Sequence, residues 1–358
     1  MKDLDNKKYK ESTLEFITEE GLNNSSSKLI PTESLIISTR MGLGRGFINK
    51  KPISINQDLK GLIPTKIIKI EFLYYWYVQK SDYIETLGKG STVKGLRLEE
   101  LHALNFLFPS ISEQRKIASF LSKVDSKIDL LEKKLELWET YKKGIMQQIF
   151  SQKLRFKDEN GEDYPDWEDK KLGDFGNFKN GVNKYKEDFG NGFPFVNLMD
   201  VFGKNSISKN NFDLVNVTKK ELKEFDLIRG DVIFIRSSVK PSGVGLTAVI
   251  VENLPNTVYS GFLIRFREKK QVFDLNFKKY CFYSTKFRNS LIRKSSTSAN
   301  TNINQESLKT LVVEVPSLME QGKIASFLSS IDIKIEKLEE EIEVNIKFKK
   351  NLFQQMFC

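Results

Sequence analysis

Two cysteines and one histidine in 358 residues leave little material for the commonest site chemistries. Cys281 and Cys358 are too few for a disulfide framework, and neither falls in a metal-ligand spacing. A zinc centre, or a Ser-His-Asp or Cys-His site, would have to draw on His102, which stands in LRLEELHAL and reads as a helix-surface residue. No run approaches the roughly 18 to 20 apolar residues of a membrane span, and the opening MKDLDNKKYKESTLEF lacks the apolar core of a secretion signal. These absences predict a soluble chain of the reducing cytoplasm, with no membrane association, no metal and no cofactor of its own.

Familiar enzyme motifs are missing as well. There is no G-x-x-x-x-G-K-[ST], and the glycines of Met41-Gly42-Leu43-Gly44-Arg45-Gly46 read as a loop rather than a phosphate cradle. No Asn-Pro-Pro-aromatic motif of an amino-methyltransferase occurs. Pro165-Asp166 with Glu168 and Lys170 spells a nuclease-like set, but its first carboxylates crowd into one acidic stretch, DENGEDYPDWED, instead of converging from separate strands on a metal. No catalytic residue is expected.

What the chain does have is bulk and positive charge. With 39% hydrophobic and 29% charged residues it is large enough for two domains with cores of their own. Its 57 Lys and Arg exceed 47 Asp and Glu to give +10, an imbalance that favours an anionic partner, nucleic acid first.

Aligned with itself, the chain repeats. Residues 113–150, EQRKIASFLSKVDSKIDLLEKKLELWETYKKGIMQQIF, recur as residues 320–357, EQGKIASFLSSIDIKIEKLEEEIEVNIKFKKNLFQQMF, identical at 20 of 38 positions with a constant offset of 207. Apolar residues fall three and four apart, at Leu121, Val124, Ile128, Leu131 and Leu135 in one copy and Leu328, Ile331, Ile335, Leu338 and Ile342 in the other. That spacing predicts two long helices, each with a seam for another helix, and each about 57 Å long at about 1.5 Å per residue. Ser110 with Glu113, and Ser317 with Glu320, give both helices the same capping-box start. Asn345 and Lys349 place polar groups in the second seam where Trp138 and Lys142 stand in the first.

Upstream of the helices the repeat is fainter. LRLEELHALNFLFPS aligns with INQESLKTLVVEVPS, and two earlier segments align so as to end at Arg40 and Arg236. The repeating unit is therefore a globular domain followed by a long helix. Short β-rich runs (LIIST, DVIFIR, LTAVIV, FLIRF) broken by Gly, Ser, Asn and Pro predict α+β domains with mainly antiparallel sheets. The expected division is a first globular domain over 1–109, a helix over 110–150, an acidic linker over 151–166, a second globular domain over 167–316 and a helix over 317–358. Met1 aligns near Val201, so the first domain is expected to lack roughly 40 residues that open the second. Charge is uneven: residues 229–294 hold 13 basic and 4 acidic side chains among Phe, Tyr, Ser and Asn, the composition of a nucleic-acid face.

Certain motifs resemble one family in particular. They are the duplicated P-S-x-x-E-Q-x-K-I-A-S-F-L-S with D-x-K-I, the K-x-x-x-x-Q-Q-x-F helix ends from Lys143 and Lys350, Pro165-Asp166-Trp167 leading to Lys171-Leu172-Gly173-Asp174, and Gly230-Asp231-Val232 before a strand. Over nearly its whole length the chain resembles the specificity subunits of type I restriction-modification systems. The resemblance implies a non-catalytic subunit with two target recognition domains, each reading one half of a split DNA sequence, separated by two long helices packed as an antiparallel coiled coil. It implies two methyltransferase subunits, which move a methyl group from S-adenosylmethionine to adenine N6, and two motor-nuclease subunits. ATP and magnesium, like S-adenosylmethionine, are expected in those partners only. The first domain would lack the family's opening strand and its counterpart of Lys171-Leu172-Gly173-Asp174.

For contacts to double-stranded DNA, the donors in Gly-, Ser- and Asn-rich loops stand out: Arg40, Arg45, Lys94 and Arg97 in the first domain, and Arg236, Lys240, Asn300, Asn302 and Asn304 in the second. A stand-alone DNA-binding regulator and a coiled-coil scaffold are the alternative readings.

Overall fold

A computed structural model describes residues 4–5, 7–89 and 95–357. The chain divides into two compact units, Met1–Leu135 with Lys337–Cys358, and Glu136–Glu336.

In the first unit, β1 (Tyr9–Lys10), β2 (Leu35–Ser38), β3 (Gly46–Asn49) and β4 (Leu59–Leu62) form a sheet in the order β1-β3-β2-β4. Only β1 and β3 pair in parallel. Strand β2 is the unbroken run LIIS, and all four residues are buried, as a strand covered on both faces requires. The aromatic segment that follows is helix α1 (Ile70–Gln79), with seven residues buried. It is apolar almost all round because it is core on more than one side. Two long helices contribute to this unit, residues 111–135 of α2 (Ile111–Phe150) and residues 337–356 of α3 (Leu318–Met356).

The second unit repeats the plan with one strand more. Among its elements are β5 (Glu168–Lys171), β6 (Gly176–Asn180), β7 (Ser206–Ile207), β8 (Val232–Ile235), β9 (Thr247–Ile250), β10 (Leu263–Glu268) and β11 (Val312–Val315). The sheet order is β7-β9-β8-β10-β6, again with a single parallel pair, β7 with β9. Strand β5 pairs with β11 apart from it. The stretch read as an acidic linker is packed against this unit rather than loose. Tyr164 is buried, Phe156 meets the ring of Phe327, and Arg155 donates to Glu320. Charge counting hid two aromatic anchors inside an acidic run.

The seam residues lie where the periodicity puts them. Leu121 and Leu328 are fully buried, and Val124, Ile128, Leu131, Ile331, Leu338 and Ile342 are buried as well. Leu135 and Ile335 are half-buried. In the first unit Asp125 meets Lys349 while Lys127 meets Glu341, so the two helix segments run antiparallel. At the helix starts only the serine half of the capping box serves the backbone as written: Ser317 Oγ accepts from the Glu320 amide at 3.3 Å. The Glu320 carboxylate accepts instead from Arg155 and from Trp167 Nε1. Asn345 is buried, as a polar seam residue would be, and its amide donates to the Glu341 carbonyl of its own helix.

Candidate nucleic-acid interface and the clamps behind it

Each domain grips its long-helix segments through the same set of side chains. In the first unit Gln114, fully buried, donates to the carbonyls of Ile67 and Pro109 and accepts from the Lys69 amide. In the second, Gln321 donates to the carbonyls of Val272 and Pro316 and accepts from the Asp274 amide. About three turns on, Tyr75 Oη donates to Asp125 at 2.6 Å and lies 3.2 Å from Ser122 Oγ, while Lys349 Nζ stands 2.6 Å from the other Asp125 oxygen. Its twin is Tyr280 Oη on Asp332 at 2.7 Å and 3.0 Å from Ser329, with Lys142 Nζ 2.5 Å from Asp332. Burial, then the hydrogen bond to the aspartate, raises the Tyr75 hydroxyl well above the usual phenol range; burial does the same for Tyr280. Both tyrosines therefore stay neutral donors. Lys8 completes the first set by donating to Tyr75 and Ser122, and Asn205 completes the second by donating to Asp332.

The candidate DNA-facing residues gather in the loops beyond these clamps. In the second domain a small sheet of Ser237–Ser238, Thr301–Asn302 and Ser296–Thr297 brings Asn302 opposite Ser237. Arg236 accepts the Ile303 amide through its carbonyl, and its guanidinium donates to the Gly261 carbonyl at 3.3 Å. Lys240 is exposed at the start of the turn Pro241–Gly243, and Asn300 is exposed with its carbonyl accepting from Asn302 Nδ2. The fold thus gathers Arg236, Asn300 and Asn302 around one three-stranded patch. Asn304 is different: its Oδ1 caps the helix Gln305–Lys309 by accepting from Ser307 N at 2.8 Å, so a structural duty occupies that oxygen.

In the first domain Arg40 and Gly95 form an isolated bridge, with Leu96 N donating to the Thr39 carbonyl. Arg40 is exposed beside Asp58 at 3.4 Å, and Arg97 and Arg45 are also exposed. Lys94 lies outside the described residues. Arg45 sits on the glycine loop, where Gly44 has φ +79° and a Cβ would come within 2.7 Å of Ser81 Cα. That loop borders a cavity of about 410 Å³ whose walls carry Asp5, Asp82 and Glu85 as well as Lys7 and Arg45. A cavity of such mixed charge is no phosphate cradle.

Part of the basic excess in residues 229–294 is spent inside the domain. Arg265 and Arg267 share Asp226, Arg267 also makes two bonds of 2.7 Å to Asp231, and Lys278 pairs with Glu268. The bond to Asp231 holds the Arg267 guanidinium above its usual range. A count of charges cannot separate these internal pairs from a surface field. Three residues on the loop side escaped the sequence reading: Val239 and Phe262, 81% and 63% exposed, and Arg288. Arg288 donates to the Ser242 carbonyl, and its second terminal nitrogen is buried with no partner among the described residues. The signal for the first two was an apolar residue inside a Ser/Gly loop. Among the described residues no group of side chains could hold a metal ion, and no helix is long and apolar enough to cross a membrane.

A family model for the type I restriction modification DNA specificity domain matches residues 2–139 and 164–347. The MjaVIII type I restriction enzyme specificity subunit of Methanocaldococcus jannaschii is 27% identical over 343 residues, covering 92% of this chain and 79% of that one. The MjaIX specificity subunit of the same organism is 29% identical over 177 residues, 47% of this chain, and the match spans only 41% of that relative. The crystal structure of the type I restriction-modification system S subunit from M. genitalium shares the fold, with a TM-score of 0.55 at 17% identity over 92% of this chain and 84% of that one. With both copies of its repeat matched, the chain belongs to the type I restriction-modification DNA specificity family.

Proposed function

We propose that this chain is the DNA-reading subunit of a type I restriction-modification complex, each globular domain recognising one half of a bipartite, asymmetric site. The observation that carries the reading is the doubled unit: the same Gln, Tyr-Ser-Asp and Lys clamps hold two domains whose loops differ in sequence. Like clamps with unlike loops suit two positions that read different bases. The exposed Arg40, Arg45 and Arg97, and Lys240 with Arg236, Asn300 and Asn302, supply donors for phosphates and base edges. Val239 and Phe262 offer apolar contact of the kind thymine methyls accept.

The chain's role in this reading is binding and positioning, in the cytoplasm, and it performs no bond-making step. Two methyltransferase subunits would bring S-adenosylmethionine, and two motor-nuclease subunits would bring ATP and magnesium. The methylated adenine must leave the base stack, so the bound duplex is expected to be distorted.

The test is binding of the methyltransferase-bound chain to its duplex across a salt series. Lys240→Ala should weaken binding to all sequences and flatten the log-log salt slope by about 0.9, the loss of one phosphate contact. Arg236→Ala should relax one half-site by about 1–3 kcal/mol per base pair read and leave the other unchanged. Equal loss of discrimination at both half-sites on Arg236→Ala would contradict the assignment.

A further inference from the structure

On the loop side of the second unit, one large exposed side chain stands on an unusually well-held backbone. Phe262 is 63% exposed, in the tight turn between the short strand Val258–Tyr259 and β10. Each peptide of that turn has a partner. Ser260 N donates to the Val196 carbonyl at 3.0 Å, Gly261 N to the Val182 carbonyl at 2.8 Å, and Leu263 N to the Ser260 carbonyl at 2.9 Å. Phe262 N donates to Ser260 Oγ, and the Phe262 carbonyl accepts from Arg236 N at 2.9 Å. The adjoining chain runs so close that a Cβ on Gly181 would fall 2.2 Å from the Tyr259 carbonyl oxygen. An aromatic ring on two torsions, carried by a backbone fixed in this way, loses little freedom when it enters a partner.

Its surroundings point to that partner. Arg236 grips the turn a second time through the Gly261 carbonyl and leads into Ser237, which lies opposite Asn302 in the three-stranded patch. Phe262 therefore borders the donors already assigned to DNA.

The first domain makes the same turn with a different residue. Thr39 N donates to the Asp58 carbonyl and the Thr39 carbonyl accepts from Leu96 N, just as Arg236 N donates to the Phe262 carbonyl and the Arg236 carbonyl accepts from Ile303 N. Thr39 thus occupies the place of Arg236, and Asp58 the place of Phe262. The Asp58 carboxylate accepts from Arg40 at 3.4 Å. A carboxylate is repelled by phosphates and has no face on which a base can stack.

We propose that Phe262 is a wedge that enters the base stack at the half-site of the second domain, partly unstacking one base step and bending the duplex there, and that the first domain, with Asp58 in that place, inserts none. The proposal rests on the recognition reading above and adds to it a class of preferred substrate. Apolar wedges act at steps that unstack cheaply, so the second half-site should favour a pyrimidine–purine step, TA or CA/TG, where Phe262 enters. The preference arises from deformability, without a hydrogen bond to either base.

The test uses the methyltransferase-bound chain and duplexes carrying the motif methylated in the host, with 2-aminopurine placed at each purine of both half-sites in turn. This base brightens when it loses its stacked neighbours. The expected result is brightening at the adenine taken out for methylation and at one further step, in the second domain's half-site alone. Phe262→Ala should abolish the further signal, spare the one at the adenine, and weaken binding by about tenfold. Phe262→Leu, which keeps an apolar wedge, should retain the signal. Specific binding with no further bright step would overturn the proposal, as would a step that stays bright in Phe262→Ala or a matching one in the first domain's half-site. Weaker binding by Phe262→Ala with unchanged fluorescence would overturn it too, since that is contact without insertion. A wild-type complex that binds the motif no better than a scrambled duplex would instead sink the recognition reading itself, and this proposal with it.

Discussion

Asp125 and Asp332 each collect a tyrosine hydroxyl and a lysine ammonium in a half-buried setting, and that explains why both survive in the repeat. Removing either carboxylate strands its partners. Asp332→Ala should cost roughly 1–3 kcal/mol in denaturant unfolding, because Tyr280 Oη loses its acceptor and the Lys142 charge its counter-ion. Adding Lys142→Met should recover part of that loss, since the cost lies mainly in the uncompensated charge; simple additivity of the two losses would contradict the network. The sequence reading assigned Lys142 and Lys349 to a polar seam but could not name their partners, which lie 190 and 224 positions away. Asn304, read from sequence as a donor to DNA, also caps a helix through its Oδ1, because an N-cap and a DNA contact want the same side chain.

At the scale of elements, the long helices were the most legible part, since apolar residues spaced three and four apart over two heptads, in both copies of the repeat, have few other solutions. Replacing a fully buried seam residue, Leu328→Ala, should cost about 2–5 kcal/mol, whereas exposed Leu130→Ala should stay within about 0.5 kcal/mol; comparable losses would mean the seam is misplaced. The sheets were legible only in kind. Apolar runs such as LIIST and DVIFIR named β2 and β8, but the order β7-β9-β8-β10-β6 depends on pairings far apart in sequence. Helix α1 was hidden in an aromatic run with no polar face to reveal its period. The packed stretch at 151–166 was hidden by its charge, Phe156 and Tyr164 being too sparse to register as a core.

For the whole molecule, duplication is the organising fact. Twenty identities in the helices reflect shared clamps, and divergence elsewhere is concentrated in the domains that carry the loops. A protein built to read one palindromic site would gain nothing from unlike loops on like clamps, while a bipartite reader needs both. The central claim is therefore that two halves of one DNA site are read separately. The most direct measurement is co-expression with the methyltransferase partner, followed by single-molecule sequencing for methyladenine, with the second domain's loop residues 237–243 intact or replaced. The account predicts a split, asymmetric methylated motif in which the replacement alters one half and leaves the other. A motif that is continuous, or whose two halves change together, would contradict it.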